Sequence, residues 1–161
     1  MIVCNTTPLS CLLKIGRTDL LQKLFDRVAI PPEVAAELDQ AGAIHANWRD
    51  QLSFIVIAEP VANDPVLTLA AAEVDLGEAA AIALAQRLGS ELLIIDDMAG
   101  RLLARRLELT ITGTVGIVLA AGQSGLVEDP FVVLEELRRR GGLWLSDTFL
   151  ERLQSMRQAP S

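Results

Sequence analysis

Short apolar runs alternate along this chain with segments of helical periodicity. Residues 1–4 are apolar and lead into Asn5-Thr6-Thr7-Pro8, which supplies a strand end, a hydroxyl N-cap and a proline suited to a first helical turn. The spacing predicts helices over 9–15, stopped by Gly16, and over 19–25, where Leu20, Leu21 and Leu24 share one side. Residues 28–30 read as a second strand, and Pro31-Pro32 starts a helix carrying Val34, Ala35, Glu37 and Leu38. A third strand, rich in β-branched residues, is expected at 54–57. Asn63-Asp64-Pro65 is a turn signal before a helix at 67–73. Leu76-Gly77-Glu78 opens an Ala-rich helix over 79–87 with Gly89 at its C-terminal stop.

The pattern then gives a fourth strand at 91–95, a helix at 98–107 and a fifth strand at 109–112. Gly113-Thr114 starts a helix that runs through Ala121, and amphipathic helices follow at 131–139 and 147–156. Residues 41–52 fit neither period and hold the only histidine, His45, which reads as a surface residue, together with Trp48. Strands that alternate with helices imply an α/β fold, a parallel sheet covered on both faces. No repeat or linker interrupts residues 1–161, so one domain is expected, with helices at about 130–157 packed on it.

Composition narrows the function classes. The chain is 51% hydrophobic with a mean hydropathy of +0.37. Even so, no apolar stretch approaches the ~20 residues of a membrane span, so no membrane partner is expected. No secretory signal is visible, and Cys4 and Cys11 read as buried small hydrophobes, from which a cytoplasmic location follows. A net charge of −7 argues against adhesion to nucleic acid through a global positive field. Contact with phosphate would be local, through clusters such as Arg101, Arg105 and Arg106; Arg138 to Arg140 read as a helix C-terminus. Four Phe, two Trp and no Tyr argue against a base-stacking platform of the single-strand-binding type.

Acidic and amide side chains recur where the predicted strands end. Asn5 follows the first strand, Glu37 lies in the helix after the second, Glu78 begins a helix, and Asp96-Asp97 close the fourth strand. In an open doubly wound sheet, ligands bind outside the carboxyl ends of the strands, and oxygen donors gathered there suit a hard divalent cation. Glu37 sits about six residues into its helix, roughly 9 Å along the axis, so spacing supports it least. There is no Walker-type loop, no Gly-x-Gly-x-x-Gly turn and no Gly-x-Ser-x-Gly elbow.

These blocks carry a resemblance. Asn5-Thr6-Thr7-Pro8-Leu9, the segment from Ile30 to Leu38, the segment from Gly77 to Ala85, Leu93-Ile94-Ile95-Asp96-Asp97 with Arg101, and Ile111-Thr112-Gly113-Thr114-Val115-Gly116 occur in the order of a PIN domain. The chain resembles PIN-domain proteins, in particular a prokaryotic subfamily related to the toxin ribonucleases of VapC type. The resemblance implies a three-layer α/β/α fold with a five-stranded parallel sheet of order 3-2-1-4-5. It also implies an acidic pocket binding Mg²⁺ or Mn²⁺, cleavage of RNA, a possible antitoxin protein as partner, and a homodimer. Carried over, the catalytic pocket would be Asn5, Glu37, Glu78 and Asp97, with Asn5, Glu78, Asp96 and Asp97 toward the metal. Thr7, Arg101 and Thr114 would face the substrate. The departure is Asn5, where the family has aspartate: an amide oxygen can coordinate a metal but brings no charge and cannot act as a general base.

Each residue also has a structural reading. Asn5 and Thr7 suit a helix cap, Glu78 suits the positive end of its helix dipole, Asp96-Asp97 suit turn and cap chemistry, and Glu37 suits a solvated helix face. Gly113-Thr114 fits either a phosphate-facing pair of N–H groups or a plain cap, and Arg101 either an RNA phosphate or an ion pair with Asp97. Three functions remain at this point: a metal-dependent ribonuclease, a degenerate PIN domain that binds RNA or a protein without cleavage, and, by fold-level analogy alone, an acidic pocket acting on small phosphorylated metabolites.

Overall fold

In the computed structural model, which describes residues 1–158, the N-terminal apolar run becomes the central strand β1 (Ile2–Cys4). The last three residues of the 1–161 span lie outside the described residues. Around β1 stand β2 (Val28–Ile30), β3 (Ile55–Ile57), β4 (Leu92–Ile94) and β5 (Ile111–Thr112), all parallel, in the order β3-β2-β1-β4-β5. The register sets Ile2 opposite both Val28 and Leu92, and Cys4 opposite Ile94. The ends of β1 and β4 therefore emerge side by side, and Asn5 continues the pairing by donating its N–H to the Ile94 carbonyl at 3.0 Å.

Successive side chains of a strand point to opposite faces, and the core divides accordingly. Cys4, Val28, Ile30 and Ile94 face one apolar cluster; Val3, Ala29, Leu93 and Ile95 face the other. The first cluster is closed by helices α1 (Thr6–Lys14), α2 (Asp19–Leu24), α3 (Pro32–Gln40), α8 (Thr114–Gln123) and α9 (Pro130–Glu136). The second is closed by α5 (Pro65–Ala70), α6 (Leu76–Leu88) and α7 (Met98–Arg106). This is the three-layer α/β/α arrangement, with the predicted strand order. No helix of the described residues is long and apolar enough to cross a membrane.

Helix boundaries moved where caps decided them. The helix expected at 67–73 begins at Pro65, because the Asp64 carboxylate accepts from the N–H groups of Val66 and Leu67. The helix expected at 131–139 gives way after Glu136 to a π-helical turn, Leu137–Gly141, that closes on Gly142 in the left-handed region (φ 75°). Arg138 pairs there with Glu135 and Asp147, and Arg139 with Glu135, so two of the three arginines are spent on local structure. Helix α10 (Asp147–Gln158) follows.

The unassigned stretch 41–52 forms a 3₁₀ turn, Ala43–His45, and a short helix α4 (Trp48–Gln51). Trp48 is buried, donates its indole N–H to Asp39 and stacks under Arg49, which also pairs with Asp39. His45 corrects the surface reading. It is only 2% exposed, its Nε2 lies 2.8 Å from the Ser10 hydroxyl, and the 3₁₀ turn presses it onto α1, a tertiary contact that local polarity does not announce. Cys4 and Cys11 are free and buried; burial first, then the charge of Asp96, raises both thiols, Cys11 to about 11.

Replacing Ile94 with alanine removes a fully buried side chain of the sheet beside β1, and should lower the unfolding free energy in urea by about 2–5 kcal/mol. Leu69→Ala, at a position 72% exposed, should change it by less than ~0.5 kcal/mol.

Candidate active site

Four backbone junctions bring the acidic side chains to the carboxyl edge of the sheet. Asn5 ends β1 and is the N-cap of α1, yet its side chain makes no capping hydrogen bond. The residue is 2% exposed, and its Oδ1 is buried with no hydrogen-bond partner. Such an orphaned acceptor costs about 1–3 kcal/mol, so the plain cap reading does not explain it.

Glu37, the residue that spacing supported least, is brought in by packing. Helix α3 lies against α1 and α6. Thr6, the first residue of α1, donates its hydroxyl to the Glu37 carboxylate. The same carboxylate lies directly on Gly77, in the first turn of α6, where any Cβ would collide with it. Axial distance along α3 was a poor guide because the helix leans across the start of α6.

Glu78 follows at the third position of α6, behind its N-cap Asp75. Its carboxylate faces Gly100 in α7, where a Cβ would stand 3.6 Å from Oε2. Burial, then the negative charges of Asp97 and Asp75 and finally Glu37, pushes Glu78 up to about 7, against the Asp75 backbone N–H, which acts in the opposite direction. Its environment thus reports three acidic neighbours.

Asp97 is the N-cap of α7, accepting from the Gly100 N–H at 3.1 Å, and is otherwise exposed. Asp96 reaches across to the start of α8: Thr114 gives it both a backbone N–H at 2.7 Å and its hydroxyl at 2.5 Å. Thr114 is fully buried, so its hydroxyl is committed to Asp96. Arg101 donates Nη1 to the Ile95 carbonyl at 2.9 Å and makes no ion pair with Asp97. Thr7 is exposed, one residue beyond the threonine that holds Glu37.

The arrangement thus assembles Asn5, Glu37, Glu78 and Asp97 around one edge, with Asp96 set toward α8. Sequence reasoning missed Thr6, Asp75 and the two close-approach glycines, Gly77 and Gly100. Asp75 had a signal: an acidic cap three residues before Glu78 is the spacing of a capping box.

Among the described residues, Glu37, Glu78, Asp96 and Asp97 are in no ion pair, and no three His, Cys, Asp or Glu side chains close into a ready-made metal cage. The donor set still suits Mg²⁺ or Mn²⁺. These are hard cations, Mg²⁺ keeps several waters and takes only one or two carboxylates, and a buried amide oxygen here has a free lone pair and no partner.

A family model described as a PIN domain matches residues 1–158. No curated protein matches the chain.

The raised value of Glu78 sets a pH dependence. Protonated Glu78 is the form the fold favours, so its contribution to stability is complete below the ordinary value of 4.5 and is lost as pH rises through about 7. Between about pH 5 and pH 8 the parent should lose more thermal stability than Glu78→Gln. Adding Mn²⁺ at the upper pH should raise the parent's midpoint more than the variant's, as read by thermal denaturation.

Proposed function

The chain belongs to the PIN-domain family, and from that premise we propose that it is a ribonuclease dependent on Mg²⁺ or Mn²⁺, with Glu78 and Asp97 as the principal metal ligands. Asn5, Glu37 and Asp96 support them. The observation that carries the reading is the buried, unpartnered Oδ1 of Asn5 at the same edge as carboxylates that have no cationic partner among the described residues. A divalent ion bound there would neutralise charge at a phosphodiester and activate water.

The chain's own residues set up that chemistry. Thr6 and Gly77 hold the Glu37 carboxylate in place. Asp97 spends one oxygen on the α7 cap and keeps the other for a ligand. Glu78 would bind the ion as a carboxylate, so ion binding competes with its protonation near neutral pH. In this reading residues 1–158 act as one domain in the cytoplasm, where the two buried cysteines stay reduced.

The toxin half of a toxin and antitoxin pair, acting as a homodimer, is the finer form of the same proposal. Leu69, Leu76, Met98 and Leu102 on α5 to α7 are exposed apolar side chains that a protein partner would cover. Asn5 favours a second reading, a domain that binds RNA without cutting it, because the amide supplies neither charge nor a base.

The decisive comparison is between the parent, Asp97→Asn and Asn5→Asp on mixed RNA with Mg²⁺ or Mn²⁺. Asparagine caps helices about as well as aspartate, so Asp97→Asn preserves the α7 cap and removes only the charge. The expected result is cleavage by the parent and a loss of at least ~100-fold in Asp97→Asn with its melting temperature nearly unchanged. Cleavage by Asn5→Asp alone would establish the binding-only reading, and equal rates in the parent and Asp97→Asn would remove the proposed site.

A further inference from the structure

Trp144 is 86% exposed, the most exposed large apolar side chain among the described residues. It is held out by its neighbours. Gly142 takes the left-handed conformation, the Leu143 N–H bonds to the Leu137 carbonyl at 3.2 Å, Leu145 is buried, and the Ser146 hydroxyl caps α10 by accepting from Phe149. With Leu143 and Leu145 turned toward the core, the indole between them points to solvent.

The ring lines a groove of about 560 Å³ together with Phe149, Met98 and Leu119, and the groove's polar wall is Asp96 and Arg101. The groove therefore shares a residue with the acidic edge. Asp96 has both oxygens engaged by Thr114. Arg101 is in no ion pair among the described residues, and its bond to the Ile95 carbonyl fixes the guanidinium. This sets a fixed guanidinium, beside a carboxylate whose two oxygens are already engaged, and an exposed aromatic ring along one groove.

That pairing matches a nucleotide, whose phosphate is anionic and whose base has a π-face. It suits an antitoxin helix less well: a helix about 10 Å across fills roughly 420 Å³ per turn, so the groove holds little more than one turn. We propose that Trp144 stacks on an unpaired base of single-stranded RNA next to the acidic edge, with Arg101 taking the adjoining phosphate. The proposal rests on the nuclease reading for its substrate. One indole is a single stacking contact and does not make the single-strand-binding platform that composition argues against.

The two tryptophans make the test direct, because Trp48 is buried with its N–H given to Asp39 and supplies a constant background. An oligoadenylate of eight nucleotides, titrated in EDTA so that nothing is cut, should quench the Trp144 emission. The same strand with abasic positions should not. Trp144→Ala should weaken binding by about 5- to 150-fold, the range that one base stack supplies. Trp144→Phe should retain most of the affinity. Unchanged affinity in Trp144→Ala, equal quenching by the abasic strand, or a shift of Trp144→Ala from dimer to monomer in sedimentation would overturn the stack. If the parent fails to cleave in Mg²⁺ or Mn²⁺ while Trp144 is still quenched, the nuclease reading falls and the base site stands; cleavage with Trp144→Ala affinity unchanged gives the converse.

Discussion

Like charges brought to one edge of a sheet resist being ionised together, and the rest of this site is arranged around that resistance. Glu78 carries most of it, with a carboxyl held near neutrality by burial and by Asp97, Asp75 and Glu37. A fold selected only for stability would place an arginine or lysine among these groups, as it does for Asp19, Asp39 and Glu135 elsewhere in the chain. Among the described residues none is placed there, and the one nearby guanidinium, Arg101, is turned onto a carbonyl. Two things can relieve the repulsion: a proton on Glu78, whose value is raised for that reason, or a cation from outside the chain.

The acids are held by the same devices that end strands and start helices. Asp97 caps α7, Asp96 binds the first residue of α8, and Glu78 stands in the first turn of α6. The helix N-termini lower the cost of concentrating negative charge, each contributing typically 0.3–1 kcal/mol. Capping and ligand roles are compatible because a carboxylate has about four lone-pair directions and a cap uses one. Gly77 and Gly100 let the chains approach: with a Cβ at Gly77, Glu37 would be displaced from α6.

The alternation of strands and helices and the carboxylates at strand ends were legible in local pattern, and the strand order in the resemblance that five sequence blocks carry. The five apolar runs became the five strands, the second unchanged and the others with boundaries shifted by one or two residues. What was not legible depends on tertiary packing. Glu37 enters the site because α3 leans on α6, which no axial spacing reports. Thr6, not the adjacent Thr7, meets Glu37, because the rotation of α1 decides which hydroxyl faces inward. His45 looked like a polar residue in a loop and is buried against Ser10. Trp144 gave only a faint signal, an aromatic between two leucines, and its exposure follows from the glycine turn that precedes it.

Asn5 then has a physical explanation that does not require a lost function. At 2% exposure, an unpaired carboxylate in its place would carry the desolvation cost of a buried charge and add to the repulsion on Glu78. The amide carries only the cost of one unmade hydrogen bond. Asparagine is therefore the better residue for a protein that spends much of its time without a cation, and aspartate the better one for a protein that always holds it. On the metal-dependent reading proposed above, the amide would exchange cation affinity for stability of the fold without the ion, and it keeps an oxygen with no hydrogen-bond partner.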